Sequence, residues 1–520
     1  MKINRTRNAA RNITAGLGLR LYQTVVPFLM RTVMIHCMGV EYLGLNSLFS
    51  SVLHVLNLAE LGVGNAMVFS MYKPIAEDDT GKICGLMRLY RRYYRLIGVF
   101  IGAVGLLLTP FIPKLISGEL PPEINIYTLY LLNLGATVLS YWLFAYRNCL
   151  LTAHQRKDVV SLVMLATNVL QHLLQLLVLL YLKDYYLYLI LTLLGTALNN
   201  VVTGLVTMRM YPRYQPTGEL AALEVKQING KIRDLFTAKL GTVVYNYADT
   251  IVMSAFMGLT VLAVYQNYYF ILSAILAVIE TMISSITAGL GNSFLTESKE
   301  KNFRDMLKFS FLFLWMTGMC VCCFLAMYQP FMEIWVGKEL MLSFGMVICF
   351  SLYFYVYTMN RLLSIYKDAA GLWHKDRFNP LISALVNLAL NLLLVKPLGL
   401  YGIVLSTVLS MGLISIPWQL HNLFTLFFER AWFKRFGRQL FSQMGTTAAA
   451  GVVVCLICHW FHFSPRVTLL LCAVVGLSVP NLMFLALLRG HEQFRPSVQF
   501  VDRLTKRKLQ LEKRLFEEHI

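Results

Sequence analysis

The sequence predicts an all-α polytopic membrane protein of about fourteen transmembrane helices: two pseudo-repeated six-helix bundles, two further helices, and both termini cytoplasmic. Three observations predict it. Of 520 residues, 57% are hydrophobic and only 14% charged, where a soluble domain carries roughly 25% charged residues. The apolar residues gather into stretches of the roughly 20 residues that a spanning helix needs. Lysine and arginine alternate between the segments that join those stretches.

The predicted spans are 13–38, 43–71, 94–112, 124–146, 159–182, 186–207, 236–257, 262–292, 306–328, 342–365, 379–396, 401–424, 441–461 and 466–488. The ninth and the last two are plain apolar runs; the first, second and seventh are the most polar. The basic start MKINRTRNAARN leads into an apolar stretch too long for a signal peptide and without a small-residue cleavage site, so it reads as a retained first helix. With that start inside, the outer segments hold only Lys114, Lys183, Lys338, Lys396 and Arg466; Arg20 and Arg31 lie within the first span, and every other Lys and Arg is inside. This asymmetry predicts both ends inside and an even number of spans. The net charge of +19 therefore speaks for topology and anionic lipid rather than nucleic acid.

The expected division is an N-terminal six-helix lobe at 1–210, a cytoplasmic amphipathic connector at 211–235, a C-terminal six-helix lobe at 236–428, two additional helices at 429–490 and a basic tail at 491–520. The connector carries GELAALEVKQINGKIRDLF and suits the membrane surface. Nearly all ten cysteines fall in apolar spans and read as small buried hydrophobes; Cys455 and Cys458 have no metal-ligand cluster beside them.

The halves resemble each other at an offset of about 220 residues. Thr14-Ala-Gly-Leu-Gly18 matches Thr237-Ala-Lys-Leu-Gly241, Met38-Gly39 matches Met257-Gly258, and Asn46 and Phe49 match Asn267 and Phe270. Gln155-Arg-Lys-Asp158 resembles His374-Lys-Asp376, and each is followed by an apolar helix carrying amides. Two related bundles of one orientation imply a cleft between them and alternating access.

Ionisable residues inside a bilayer cost about 2.5–3.5 kcal/mol each on insertion scales, so they face a cavity or a partner. The candidates are Arg20 and Arg31 in the first span, His54 and Glu60 in the second, His172 in the fifth, Asp249 in the seventh, Glu280 in the eighth and Arg361 near the inner end of the tenth. Arg20, Gln23, Thr24, Pro27 and Arg31 form one polar stripe; Thr242, Tyr245, Asn246, Asp249 and Ser254 form another. A guanidinium suits a pyrophosphate because its donor fork matches the oxygens. Asp249 either orients Arg31 or Arg20 or binds a coupling cation; a purely structural ion pair is the competing reading. Glu60 either binds a cation or bridges helices, with Glu280 a weaker candidate for ion coupling or gating. Asn46, Asn292 and Arg361 complete the expected substrate cavity. Tyr245 and its tyrosine neighbours stack on sugar rings or simply pack, and His54 and His172 read as core histidines.

No phosphate-binding loop or metalloprotease motif occurs, so neither an enzyme nor a cofactor is expected. The stretches Glu41-Tyr-Leu-Gly-Leu-Asn-Ser-Leu-Phe-Ser50, Leu58-Ala-Glu-Leu-Gly-Val-Gly-Asn65 and Met71-Tyr-Lys-Pro-Ile-Ala-Glu77 resemble bacterial polysaccharide transporters of the Wzx type. Ala145-Tyr-Arg147, Gln155-Arg156 and Gly291-Asn292 add to the resemblance, which covers nearly the whole chain and is strongest over 14–160. That family belongs to the MOP superfamily with the MATE exporters and the MurJ lipid II flippases. The resemblance implies two six-helix lobes around a central cavity. It also implies flipping of an undecaprenyl-pyrophosphate-linked oligosaccharide to the outer leaflet, coupled to a proton, a monovalent cation or the membrane potential. A polysaccharide polymerase and other assembly proteins are the implied partners. Arg31 is followed by Thr32 rather than by the aspartate of the MurJ pattern, which disfavours lipid II. A small-molecule exporter of the MATE kind and a membrane enzyme such as a sugar polymerase or ligase are the competing readings, beside a lipid II flippase of the MurJ kind. The first would favour acidic over basic cavity residues, and the second would need a larger outer loop.

Overall fold

The structure, a computed structural model, describes residues 5–60, 62–118, 120–121, 123–504 and 512; side chains are described except those of 5–7, 9–10, 59, 234, 237–238, 246, 284–285, 288 and 504. Every regular element among the described residues is helical. Among the described residues, ten helices are long and apolar enough to cross a membrane, or eleven if the bent pair Ile126–Trp142 and Ala145–Ala153 is one span. The predicted spans outside that set are the first, second and seventh, the three richest in polar residues, so hydropathy alone does not select them. The chain forms two compact units, Met1–Gln266 and Asn267–Ile520.

In the first unit, α1 (Arg5–Cys37) packs along α7 (Lys157–Leu177), and Gly39, at φ +117°, turns the chain into α2 (Val40–Leu56). The second predicted span is broken. After α2 comes a 3₁₀ turn, Asn57–Glu60, and then Gly62 at φ +89° starts α3 (Val63–Ala76). Glycine is required at 62 twice over: a side chain there would strain the left-handed backbone and sit 2.6 Å from Leu235 Cβ.

Asp79 caps α4 (Thr80–Leu108) by accepting from Lys82 N at 2.9 Å, and Asn125 caps α5 (Ile126–Trp142) by accepting from Tyr127 N and Thr128 N. α5 then bends by 45° through left-handed Phe144 into the short α6 (Asn148–Ala153). α8 (Tyr185–Met210) pairs with α7. The long α9 (Ala222–Met257) carries the connector sequence into the seventh span without a break and packs on α2 and α3.

Helix α10 (Leu259–Thr296) contributes most of its length to the second unit. There α11 (Lys299–Val336) is the central post. It contacts α12 (Phe344–Ala369), α17 (Phe433–His459), α18 (Pro465–Leu488) and α19 (Phe494–Leu504). The amides of Gln439 and Gln443 donate to the Leu307 and Phe311 carbonyls at 2.9 and 2.8 Å, and Trp315 Nε1 donates to Asn481 Oδ1 at 2.8 Å. These bonds tie the two added helices to α11 where water cannot compete. An apolar crevice of about 770 Å³ opens between α11, α12, α17 and α18. The short α13 (Trp373–Asp376) leads to α14 (Asn379–Leu398), which pairs with α15 (Leu400–Ser410), continued through a π-helical turn by α16 (Ile416–Asn422). Of the predicted tail, 505–511 and 513–520 lie outside the described residues.

Corresponding features recur inside the two halves of the sequence. Gly39 and Gly258, both at positive φ, join the first helix of each half to its second. Buried Asp158 takes two hydrogen bonds from Arg156, and buried Asp376 takes one from Lys367 at 2.8 Å. Thr167 of α7 donates to Asn199 of α8 at 3.3 Å; Asn387 of α14 donates to Thr407 of α15 at 2.9 Å.

Candidate functional site

Helix α1 displays its polar stripe at graded depth. Arg20 is exposed, and its backbone carbonyl accepts from Thr24 Oγ1 at 3.0 Å. Tyr22 and His172 Nδ1 share a hydrogen bond of 2.8 Å. Arg31 lies half-buried further along, with Tyr188 of α8 as an electrostatic neighbour. Tyrosine is a fit companion: its hydroxyl has an acceptor lone pair for the guanidinium without adding a negative charge.

Glu60 sits in the 3₁₀ turn between α2 and α3. Its two carboxylate oxygens accept separately, one from Tyr94 and the other from Tyr141 at 2.8 Å. Tyr90 donates in turn to Tyr94 at 2.6 Å. All three phenols are buried, so the carboxylate is held by hydroxyls from α4 and α5, and no cation pairs with it among the described residues.

Asn46 is half-buried on α2. On α9, Tyr245 and Asp249 are half-buried, and the Asn246 side chain lies outside the described residues. Between them Tyr247 stacks on His54 of α2, with ring centroids 4.7 Å apart and planes 13° from parallel. In the second unit, Asn292 is exposed near the end of α10. Arg361 and Glu280, assigned by sequence to different roles, form one bidentate ion pair, with Nη2 donating to Oε2 at 2.8 Å.

Sequence reasoning missed the partners: Tyr94 and Tyr141 for Glu60, Tyr188 for Arg31, and Arg361 for Glu280. Tyr90 and Tyr94 are four residues apart and so share a helix face, which is the one local signal available. Arg147, one of the inside basic residues by sequence, is not at an open surface. It is 4% exposed at the α5–α6 bend, with Nε and Nη1 unpartnered. No group of three or more metal-ligating side chains occurs among the described residues.

No family model matches the sequence, and no curated protein does either. Solved structures do. The lipid II flippase MurJ in an inward closed conformation aligns with a TM-score of 0.66 at 14% identity, over 92% of this chain and 98% of that one. An inward-facing MATE-family multidrug resistance transporter of the MOP superfamily aligns with a TM-score of 0.61 at 15% identity, over 82% and 99%. A MATE structure in a bent conformation follows at 0.52 and 14%, over 84% and 97%. The chain is a multi-pass helical membrane protein with the fold of the MOP-superfamily transporters.

Proposed function

We propose that the protein is a transporter that flips an undecaprenyl-pyrophosphate-linked oligosaccharide from the cytoplasmic to the outer leaflet by alternating access, for surface polysaccharide synthesis. Arg31 carries the reading: it is a half-buried guanidinium in the last third of a polar helix, with Tyr188 of α8 as an electrostatic neighbour. Such a group suits an anionic headgroup entering a wet lumen, because two parallel N–H bonds fit phosphate oxygens. Arg20, Asn46, Tyr245, Asn246, Asp249, Asn292 and Arg361 are the further residues of this proposed path. The fold shared with a lipid II flippase supports a lipid-linked cargo. The recurrence of the glycine joints and buried aspartate clasps supports two lobes, 1–210 and 236–428, that rock about a cleft, with 211–235 as connector and 429–490 as added helices. Glu60 and Asp249 are the proposed sites for a coupling proton or monovalent cation, and Glu280, tied to Arg361, the proposed gate. The inside-rich basic residues support an inner-membrane location with both ends cytoplasmic. A polymerase on the outer face is the proposed downstream partner.

The test is reconstitution in proteoliposomes with a fluorescent polyprenyl-pyrophosphate oligosaccharide, reading the sugar exposed on the far leaflet. Wild type should expose it, Arg31→Ala should fall to the empty-liposome rate, and Arg31→Lys should retain part. Full activity of Arg31→Ala would remove the site assignment. Export of a cationic dye in place of the lipid would favour a MATE-like exporter, the reading that the MATE likeness supports.

A further inference from the structure

One face of α4 is buried through Tyr90, Tyr94, Ile97 and Ile101. The opposite face carries Arg88, Arg92 and Arg95, all exposed, and then passes without interruption into exposed Leu96, Val99 and Phe100. Residues three and four apart on a helix are side-by-side neighbours, so the arginines form one stripe that ends where the lipid-facing stripe begins. Arg88 is engaged already: it donates to the Gly218 carbonyl at 2.9 Å and lies 3.2 Å from Glu219. Arg92 and Arg95 have no acidic partner among the described residues.

The neighbouring helix completes the border. Trp142 of α5, half exposed, donates from Nε1 to the Arg95 carbonyl at 3.3 Å. Its indole lies against Gly98, where a Cβ would come within 2.4 Å of Nε1. A tryptophan pinned at the change from arginine to leucine marks the membrane–water interface. Two guanidinia stand at headgroup level beside it, with an apolar ridge below.

We infer that Arg92 and Arg95, with Trp142 as a wall, form a binding site for an anionic glycerophospholipid. The guanidinia take the headgroup phosphate, and an acyl chain lies along Leu96, Val99 and Phe100. The inference is independent of the transported substrate. Charge complementarity carries it: two neighbouring cations without acids, at the depth where lipid phosphates sit, match a phosphate and offer a neutral headgroup no advantage.

Native mass spectrometry of the full chain, released from micelles holding equimolar phosphatidylcholine, phosphatidylglycerol and cardiolipin, tests it. The anionic lipids should be retained in preference. Arg92→Ala/Arg95→Ala should lower their retention about thirtyfold, the product of the usual attraction of each of two lost arginines. Arg92→Lys/Arg95→Lys should keep most of it and shows that the helix still folds. Lys434→Ala/Arg438→Ala, which removes as much charge from the exposed start of α17, should change little. Equal retention of all three lipids, an unchanged alanine pair, or an equal loss in the Lys434/Arg438 variant would overturn the site. So would displacement of the glycerophospholipid by an equimolar polyprenyl pyrophosphate.

Discussion

Arg361 grips Glu280 through two donors, Nε to Oε1 and Nη2 to Oε2, joining α12 to α10 within the second unit. The pair is about one-third exposed on each side chain, 37% and 34%, so water or a passing ligand can still reach it. Breaking it from one side leaves a lone charge. Glu280→Gln should lower stability by about 1–3 kcal/mol, below the full cost of orphaning a deeply buried partner. Removing both charges, as Glu280→Gln/Arg361→Gln, should recover much of that loss. Thermal unfolding in detergent reads both; an additive double variant would mean that the two groups do not depend on each other.

The Glu60 cradle predicts a different pattern. Tyr141→Phe and Tyr94→Phe each remove one hydroxyl from the carboxylate, costing about 1–3 kcal/mol for the acceptor left behind. Because both hydroxyls serve one carboxyl group, Glu60→Gln/Tyr141→Phe should be less damaging than the sum of its parts. Unfolding midpoints of the three variants against wild type check this.

Close backbone approach makes a sharper forecast. A Cβ at Gly44 would lie 2.4 Å from the Leu259 carbonyl oxygen, and one at Gly402 would lie 2.3 Å from that of Leu394, while Gly412 has open space. Gly44→Ala and Gly402→Ala should each cost about 1–3 kcal/mol, since backbone cannot move aside cheaply. Gly412→Ala should be near neutral. Yield of monodisperse protein and its melting temperature report the contrast.

Acid should loosen the turn after α6. His154 Nδ1 donates to the Leu150 carbonyl at 2.9 Å, its ring lies on Tyr211 and Tyr214, and Nε2 is buried without a partner. Burial holds its pKa below the ordinary value of 6.5, against a weaker upward pull from the Leu150 carbonyl and Asp78. The unfolded histidine then takes up a proton that the folded one refuses. Stability is therefore level above about pH 6.5 and falls as pH drops below it, until the folded imidazole also titrates. The protection factors of amides around 148–158, taken relative to the intrinsic exchange rate at each pH, should fall between pH 7 and pH 5.5. In His154→Gln that pH dependence should flatten.

Much of the architecture was legible in the sequence because a bilayer demands continuous apolar helices. The span ends near 182, 207, 257, 396 and 488 fall close to observed helix ends. The break at Glu60 was not legible. Leu58 to Asn65 reads as helix with two glycines, and only the left-handed Gly62 pressed against α9 shows that the chain turns there. The bend at Phe144 was hidden for a different reason: no proline or glycine marks a left-handed phenylalanine. Among candidate residues, periodicity located Arg31, Glu60, Asp249, Glu280 and Arg361 but could not pair them. Tyr94 lies 34 positions from Glu60, and Arg361 lies 81 from Glu280. Distances of that order are set by how helices are arranged, which a one-dimensional pattern does not contain.

The uninterrupted course of α9 has a mechanical corollary. A helix of its 36 residues measures about 54 Å at 1.5 Å per residue, well beyond the roughly 30 Å hydrocarbon core of a bilayer. Its basic leading half and Asp249 are therefore two ends of one lever. Whatever clasps Lys226 or Lys231 in the aqueous phase sets the tilt at which that carboxylate is presented.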